Sequence, residues 1–301
     1  MVHGPPGQVL TAAATRHAAV LGSPISHSLS PALHVAAYRA LGLSDWLYGA
    51  HEVQGSQLRG FVTRLGAEWA GLSLTMPLKE AAFEVADEVS DLAREVGAIN
   101  TLVRRPDGGW SGHNTDVYGV AQALREAGCG QVASSLVLGS GATARAVVAA
   151  LGTLGCQRVT FAVRSSARPE TLDQAHRAGF EVDVVGLAQI SQVMDRIGDA
   201  PVVVSTLPAN VLPASLLTGR MLPEGRRLQN HLLLDVVYAG WPTQLARMFE
   251  EAGAKVVSGF EMLVHQGAEQ VHLMTGLVAP VGAMRAAGLA AMAAGKAMES
   301  S

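Results

Sequence analysis

Four stretches of this 301-residue chain place polar or ionisable side chains where short apolar runs end. They read SPISHSLSPALH (23–34), LTMPLKEAAF (74–83), GAINTLV (97–103) and GHNTDVYG (112–119). Because parallel strands end at one edge of a sheet, we expect these stretches to meet in one cleft. Hydroxyls, amides, a lysine and an aspartate together suit the binding and proton transfer of a polyhydroxylated carboxylic acid.

The first stretch offers Ser28 and Ser30 beside the start of a helix. Ser30 is predicted as the N-cap, with Pro31 as the first helical residue, and capping alone would explain that serine. Capping by Ser30 does not account for the second hydroxyl, that of Ser28. Two hydroxyls at a helix N-terminus favour a site for a substrate carboxylate.

The second stretch predicts Thr75 as an N-cap and Lys79 within the first helical turn, where a cation opposes the helix dipole. A surface lysine is the alternative, yet the chain has three lysines among its 22 basic residues. Asp116 is either a plain N-cap or the partner of Lys79 at the same sheet edge. The second alternative predicts that Lys79 and Asp116 handle the proton that accompanies hydride transfer.

A glycine loop follows a second apolar run in SLVLGSGATARAVVAALGTLG (135–155). The strand–turn–helix order around Gly139-x-Gly141-x-x-Ala144 predicts a dinucleotide site that receives a pyrophosphate on backbone N–H groups. The predicted cofactor-binding residues of this loop are Gly139, Ser140, Gly141, Ala142, Thr143 and Ala144.

The next strand ends in FAVRSSARPE (161–170), without the acid that would bind a ribose 2′-hydroxyl. Arg164, Ser165 and Arg168 instead suit a 2′-phosphate, which favours NADP over NAD. The alternative is that Arg164 is a solvated loop arginine.

Alternation of apolar runs and amphipathic segments predicts an α/β fold with parallel sheets in two domains. Strands are predicted at 18–22, 47–52, 71–75, 98–104, 135–138, 158–163, 181–185, 202–205, 232–236 and 255–257, and helices at 31–41, 77–89, 143–154 and from Asp116. We predict a loose tail (1–17), a substrate domain (18–115), a Rossmann-type doubly wound domain (116–260) and C-terminal helices that pack back on the first domain (261–301).

Composition narrows the function classes. The formal net charge of −3 provides no basic face for nucleic acid or for a membrane surface. Cys129 and Cys156 are predicted to be inert thiols, and no metal site is expected. No signal peptide or membrane span is convincing, so we expect a cytoplasmic enzyme, a monomer or homodimer, with a small-molecule substrate.

Taken together, the motifs resemble those of shikimate dehydrogenases over nearly the whole chain beyond the tail. The resemblance implies Ser28 and Ser30 as carboxylate ligands, Lys79 and Asp116 as the catalytic pair, and NADPH-dependent reduction of 3-dehydroshikimate to shikimate. It further implies these substrate ligands: Thr75, Asn100, Tyr238 and Gln266. STLPA (205–209) resembles a stretch near the nicotinamide, and EMLVHQGAEQ (261–270) resembles the family's final helix motif, in which Gln266 would contact substrate and Met262 the nicotinamide. The cofactor contacts predicted in addition to the glycine loop and the arginine segment are Thr206, Leu207, Pro208, Val236, Gly259 and Met262.

Three positions depart from the family pattern. Ser73 stands where many relatives have asparagine, Ala142 replaces a loop glycine, and Val163 precedes Arg164 where Asn-Arg-Thr is frequent. The alternatives are an NAD-dependent quinate/shikimate dehydrogenase and a catalytically silent ligand-binding relative. Ser30 and Arg164 favour shikimate and NADP over the quinate/shikimate alternative. The presence of both Lys79 and Asp116 speaks against a catalytically silent relative.

Overall fold

The computed structural model describes residues 15–208, 211–212 and 228–299, and these form two six-stranded sheets. The first sheet contains β1 (Arg16–Gly22), β2 (Trp46–Glu52), β3 (Trp69–Leu74), β4 (Glu88–Val89), β5 (Thr101–Arg104) and β6 (Trp110–His113). The second contains β7 (Ser134–Leu138), β8 (Arg158–Val163), β9 (Glu181–Gly186), β10 (Val202–Ser205), β11 (Leu232–Asp235) and β12 (Lys255–Ser258). The predicted two-domain α/β class is confirmed.

Helices cover both sheets. Within the described residues they are α1 (Ser30–Ala40), α2 (Leu58–Val62), α3 (Leu78–Ala81), α4 (Asp91–Val96), α5 (Asp116–Glu126), α6 (Ala142–Thr153), α7 (Pro169–Arg177), α8 (Ile190–Asp199), α9 (Gln244–Glu251), α10 (Gly259–Thr275) and α11 (Val281–Glu299). None of these helices combines the length and apolar character that a membrane crossing requires.

The second sheet is wholly parallel, in the order β12-β11-β10-β7-β8-β9. Its central strands are apolar on both faces. Leu136 and Leu138 pack with α8 and α9 on one side, whereas Val137 packs with α5 and α6 on the other. Continuous apolar strands of this kind are what a doubly wound parallel sheet requires.

The first sheet is mixed, so the prediction of a parallel sheet is wrong for this half. Its order is β2-β1-β3-β5-β6-β4, with β5 antiparallel to both β3 and β6. The turn between β5 and β6 closes with Arg105 N–H donating to the Gly109 carbonyl (2.9 Å), and so short a connection permits only antiparallel pairing. Strand β6 therefore runs in the direction of β3, and both end at the same edge.

The single helix predicted over 77–89 is also wrong. The segment forms α3, a 3₁₀ turn and then β4, which joins the edge of the sheet beside β6. Asp87 N–H donates to the Trp110 carbonyl (2.8 Å), and Ser90 N–H donates to that of Gly112 (2.9 Å). Pairing with a distant strand thus overrides local helix propensity.

The C-terminal helices pack back on the first sheet, as predicted. Phe260, Val264 and Met284 share one core with Leu33 and Ala18. Helices α5 and α10 approach closely at Gly119, where an added Cβ would lie 2.7 Å from the Met262 carbonyl oxygen. This approach places α10 beside the start of α5.

The boundaries of the predicted domains stay a prediction. Strand β1 begins at Arg16, so Arg16 and His17 belong to the sheet rather than to the predicted tail. Residues 1–14 of that tail lie outside the described residues.

Candidate active site

A cavity of about 330 Å³ opens at the carboxyl edge of the first sheet. Ser28, Ser30, Thr75, Lys79 and Asp116 line it together. Lys79 follows β3 in sequence and Asp116 follows β6, so the common direction of these two strands brings the predicted pair together.

Lys79 and Asp116 form a short ion pair, with Lys79 Nζ 2.6 Å from Asp116 Oδ2. Their side chains are only 19% and 7% exposed, which limits screening by water. An ammonium group carries three protons, so Lys79 keeps two donor positions for the cavity. The pair can therefore hold a proton beside a bound hydroxyl or carbonyl.

Asn100 orients the aspartate from behind. Its Oδ1 accepts from the backbone N–H of Thr115 (2.8 Å), which assigns the amide orientation because that N–H can only donate. Asn100 Nδ2 then donates to Asp116 Oδ1 (2.9 Å). Asn100 is 1% exposed and lies behind the wall of the cavity, so it positions Asp116.

The capping alternatives for Ser30, Thr75 and Asp116 are wrong. Helices α1, α3 and α5 lie wholly within the described residues, and none has a side-chain bond from its N-cap residue: Leu29, Pro77 and Thr115 respectively. Neighbouring residues satisfy the helix starts instead. Asn114 Oδ1 accepts from Val117 N–H (3.3 Å), and the Thr75 backbone carbonyl accepts from Leu78 N–H (2.8 Å).

Ser28 is the residue that supports the start of α1. Its Oγ accepts from Ser30 N–H (3.3 Å). Because that bond uses only a lone pair, the hydroxyl proton of Ser28 remains for a ligand. The two hydroxyls face the cavity at the helix N-terminus, where an anion is favoured.

The opposite wall comes from the second half of the chain. Tyr238, Gln266, Met262, Val236 and Gly259 all line the same cavity. Burial raises the pKa of Tyr238, which keeps its hydroxyl as a neutral donor. The cavity is therefore built between the two sheets.

A second cleft of about 640 Å³ adjoins the first and shares Thr75, Lys79 and Thr143 with it. The glycine loop forms its floor: Gly139, Ser140, Gly141, Ala142 and Thr143. The predicted contact Ala144 is fully buried in the core of the second sheet and lies below that floor.

The loop fits a dinucleotide. Gly139 has φ +102°, and an added Cβ would lie 2.6 Å from Thr206 Oγ1. Above Gly141 the space is open to 4 Å, and α6 begins there without a side-chain cap. Backbone N–H groups of the first turn are thus left for phosphate oxygens.

The remaining predicted cofactor residues lie around this cleft: Arg164, Ser165, Arg168, Thr206, Leu207 and Pro208. Arg164, Ser165 and Arg168 are exposed. Arg168 N–H donates to Ser140 Oγ (3.1 Å), which ties the start of α7 to the glycine loop.

Comparison with known proteins identifies the family. Residues 20–102 match the shikimate dehydrogenase substrate binding domain, and residues 259–287 match the shikimate 5′-dehydrogenase C-terminal domain. A shikimate dehydrogenase (NADP(+)) of Symbiobacterium thermophilum is 38% identical over 91% of this chain and 93% of its own. The chain belongs to the shikimate dehydrogenase family.

Solved structures agree. The shikimate dehydrogenase of Mycobacterium tuberculosis is 43% identical, covers 91% of this chain and 99% of its own, and has a TM-score of 0.81. A Thermus thermophilus shikimate 5-dehydrogenase in complex with NADP(H) and shikimate is 32% identical, with 92% and 100% coverage and a TM-score of 0.77.

Within this family fold, a buried chain of hydrogen bonds was not predicted from the sequence. Tyr48 donates to Ser73 Oγ (2.7 Å), Ser73 donates to Gln270 Oε1 (2.8 Å), and Gln270 Nε2 donates to Thr101 Oγ1 (3.1 Å). Ser73 and Gln270 line the cavity. Because the hydroxyl proton of Ser73 is donated to Gln270, Ser73 can only accept a hydrogen bond from a ligand in the cavity.

One other acidic cluster, among the described residues, brings together Glu126, Glu261 and His265. Arg285 donates to both carboxylates, at 2.6 and 2.8 Å. The guanidinium of Arg285 therefore links α11 to α5 and α10 through these two carboxylates.

Proposed function

We propose that this protein catalyses the reversible, NADP-dependent interconversion of shikimate and 3-dehydroshikimate. The observation that carries the proposal is the Lys79–Asp116 pair, oriented by Asn100, in a cavity that adjoins the glycine-loop cleft. Curated relatives named shikimate dehydrogenase (NADP(+)) match about nine tenths of the chain.

The substrate carboxylate is assigned to Ser28 and Ser30, with Tyr238 as a further donor. Ring hydroxyls are assigned to Thr75, Asp116 and Gln266, while Asn100 positions Asp116 from behind the cavity wall. Ser73 is assigned to accept a hydrogen bond from one of these ring hydroxyls. Ser28, Ser30 and Tyr238 are neutral donors, so their contribution to substrate affinity comes from hydrogen bonds, to which the dipole of α1 adds.

The residues of the glycine-loop cleft would hold a nicotinamide cofactor, which would supply a hydride acceptor for the alcohol carbon as NADP⁺ and a hydride donor for the ketone carbon as NADPH. The residues of the chain manage the proton. During oxidation, Lys79 first releases one of its three protons to solvent; the neutral amine then takes the hydroxyl proton, and Asp116 holds the resulting ammonium beside the oxygen. During reduction, Lys79 returns that proton to the oxygen.

The cofactor phosphates are assigned to the loop 139–143 and the N-terminus of α6. Arg164 and Arg168 are assigned to the 2′-phosphate, because guanidinium groups bind phosphate through paired, charge-assisted bonds. Cytoplasmic location and a monomeric or homodimeric state stay predictions.

The test is an initial-rate assay with shikimate and with quinate, each with NADP⁺ and with NAD⁺. We expect the highest kcat/KM for shikimate with NADP⁺. A preference for quinate with NAD⁺ would assign the protein to the alternative activity, which a structural neighbour illustrates: the quinate dehydrogenase of Corynebacterium glutamicum in complex with NAD, 29% identical with a TM-score of 0.78. No turnover of any pair would favour a silent binding protein.

A further inference from the structure

Arg145 joins the two halves of the molecule from inside α6. Its side chain is 5% exposed although it carries a full charge. Nε donates to the Val96 carbonyl (2.6 Å), while Nη2 donates to the Gly97 carbonyl (3.0 Å) and to Glu80 Oε1 (2.7 Å). All three acceptors belong to the half that contains Lys79, whereas Arg145 lies on the helix that follows the glycine loop.

The first two acceptors end α4. Carbonyls at the last turn of a helix lack intrahelical partners and form the negative end of its dipole, so a buried guanidinium is well placed there. Ile99 N–H, two residues after Gly97, donates to the Lys79 carbonyl (2.8 Å), and Asn100 follows directly. By holding Val96 and Gly97, Arg145 therefore holds the short segment that supports both Lys79 and Asn100.

The third acceptor has an electrostatic role. Glu80 follows Lys79 and lines the same cleft as the glycine loop, with its side chain 58% exposed. A free carboxylate there would repel the phosphates of a dinucleotide. Arg145 neutralises this carboxylate from the buried side.

We propose that Arg145 is a positioning residue that couples the phosphate-binding helix to the segments carrying Lys79 and Asn100, and that it suppresses the repulsion between Glu80 and the cofactor. The proposal rests on the proposed function. It predicts two separable effects. Loss of the correct position of Lys79 and Asn100 should lower kcat, and loss of the neutralisation of Glu80 should raise KM for NADP⁺.

Three variants separate the effects. Arg145→Met should lower kcat about tenfold, because the segments that carry Lys79 and Asn100 lose charge-assisted contacts. It should raise KM for NADP⁺ about tenfold, because the Glu80 carboxylate is no longer neutralised. In the double variant Arg145→Met with Glu80→Gln, KM for NADP⁺ should return to within about twofold of wild type, because the Glu80 carboxylate no longer repels the cofactor phosphates. Its kcat should stay low, because the segments that carry Lys79 and Asn100 are still not held in place. Arg145→Lys keeps the charge and loses the fork, so KM should be nearly normal with kcat intermediate.

The matched control is Arg158→Met, which removes an arginine–glutamate pair with Glu181 on the surface of the same half, at 57% and 71% exposure. Its kcat and KM should equal those of wild type. If Arg145→Met changes only the melting temperature, Arg145 is a structural strut and the proposal fails.

If Arg145→Met does not fold, Glu80→Gln alone decides. It removes the Glu80 carboxylate from the cleft and leaves the buried Arg145 charge without that partner, so KM for NADP⁺ should fall about two- to threefold while KM for shikimate is unchanged. An unchanged KM for NADP⁺ would overturn the proposal. Wild-type enzyme that fails to oxidise shikimate with NADP⁺ would instead overturn the proposed function, whatever the variants do.

Discussion

The two clefts of this molecule are built in different ways. In the substrate cavity, Lys79 and Asn100 both donate hydrogen bonds to Asp116, and the three side chains are largely buried. In the cofactor cleft, the loop 139–143 offers mainly backbone, and Arg164 and Arg168 are exposed. Preorganised side chains make the chemistry sensitive to single substitutions, whereas a backbone cradle with exposed cations spreads affinity over many contacts.

The largest effect is expected from the centre of the substrate cavity. Lys79→Ala should lower kcat for shikimate oxidation by about 100-fold or more, with a much smaller change in KM, because it removes the group that takes the proton. Steady-state kinetics at saturating NADP⁺ measure both. Lys255→Ala, in the exposed first position of β12, is the control. A near-normal kcat in the Lys79 variant would contradict the assignment.

The substrate half also contains a buried histidine that should make the free energy of unfolding depend on pH. His34 is 0% exposed, its Nδ1–H donates to the Ser30 carbonyl (2.9 Å), and its ring stacks on Tyr48 at 3.9 Å. Burial lowers the pKa of His34 to about 4 from 6.5 in the unfolded chain. Between these two values the unfolded state binds more protons, so the free energy of unfolding should fall by about 3 kcal/mol as pH drops from 6.5 to 4.

Urea unfolding across that pH range tests the histidine. His34→Gln should have a flatter dependence on pH than wild type, while His51→Gln, at an exposed position, should keep the wild-type slope. Equal slopes in wild type and His34→Gln would show that His34 does not carry the effect.

A smaller effect is expected at the carboxylate end of the cavity. Ser28→Ala should raise KM for shikimate roughly ten- to a hundredfold and leave KM for NADP⁺ unchanged, because one hydrogen bond to a charged group is worth about 1.5–3 kcal/mol. Ser26→Ala, exposed in the same loop, is the matched control. A variant that only melts earlier would mean that Ser28 serves the start of α1 and nothing else.

The smallest effect should come from the cofactor cleft. Arg164→Ala should lower the ratio of kcat/KM for NADP⁺ over NAD⁺ roughly tenfold, since Arg168 remains beside the 2′-phosphate position. Arg177→Ala, exposed on α7, should not change the ratio. If this ratio is unchanged in the Arg164 variant, Arg164 is a solvated loop residue that does not bind the 2′-phosphate. Much of the contrast between the two clefts would then be lost.

Much of the site could be predicted because several of its residues come shortly after strands that the sequence pattern reveals. Ser28 and Lys79 each follow a short apolar run, Asp116 begins a helix with clear apolar spacing, and strands that run in the same direction deliver such residues to one edge. The glycine loop was predictable for the same reason, because strand, turn and helix are consecutive in the chain. The second sheet could be predicted from apolar strands alone, whereas the hairpin of β5 and β6 could not, since β6 is short and half polar.

The tertiary structure decided what each polar residue does. A serine or aspartate before a helix has the same local pattern whether it caps the helix or faces a ligand; here Ser28 and Asn114 support the helix starts, which frees Ser30 and Asp116. Ser73 and Gln270 meet across 197 positions, and Arg145 reaches Glu80 across 65. The sequence by itself determined which chemistry the chain carries, because residue types and strand ends are local. Only the folded chain decided which groups share a hydrogen bond, because that depends on contacts between segments far apart in sequence.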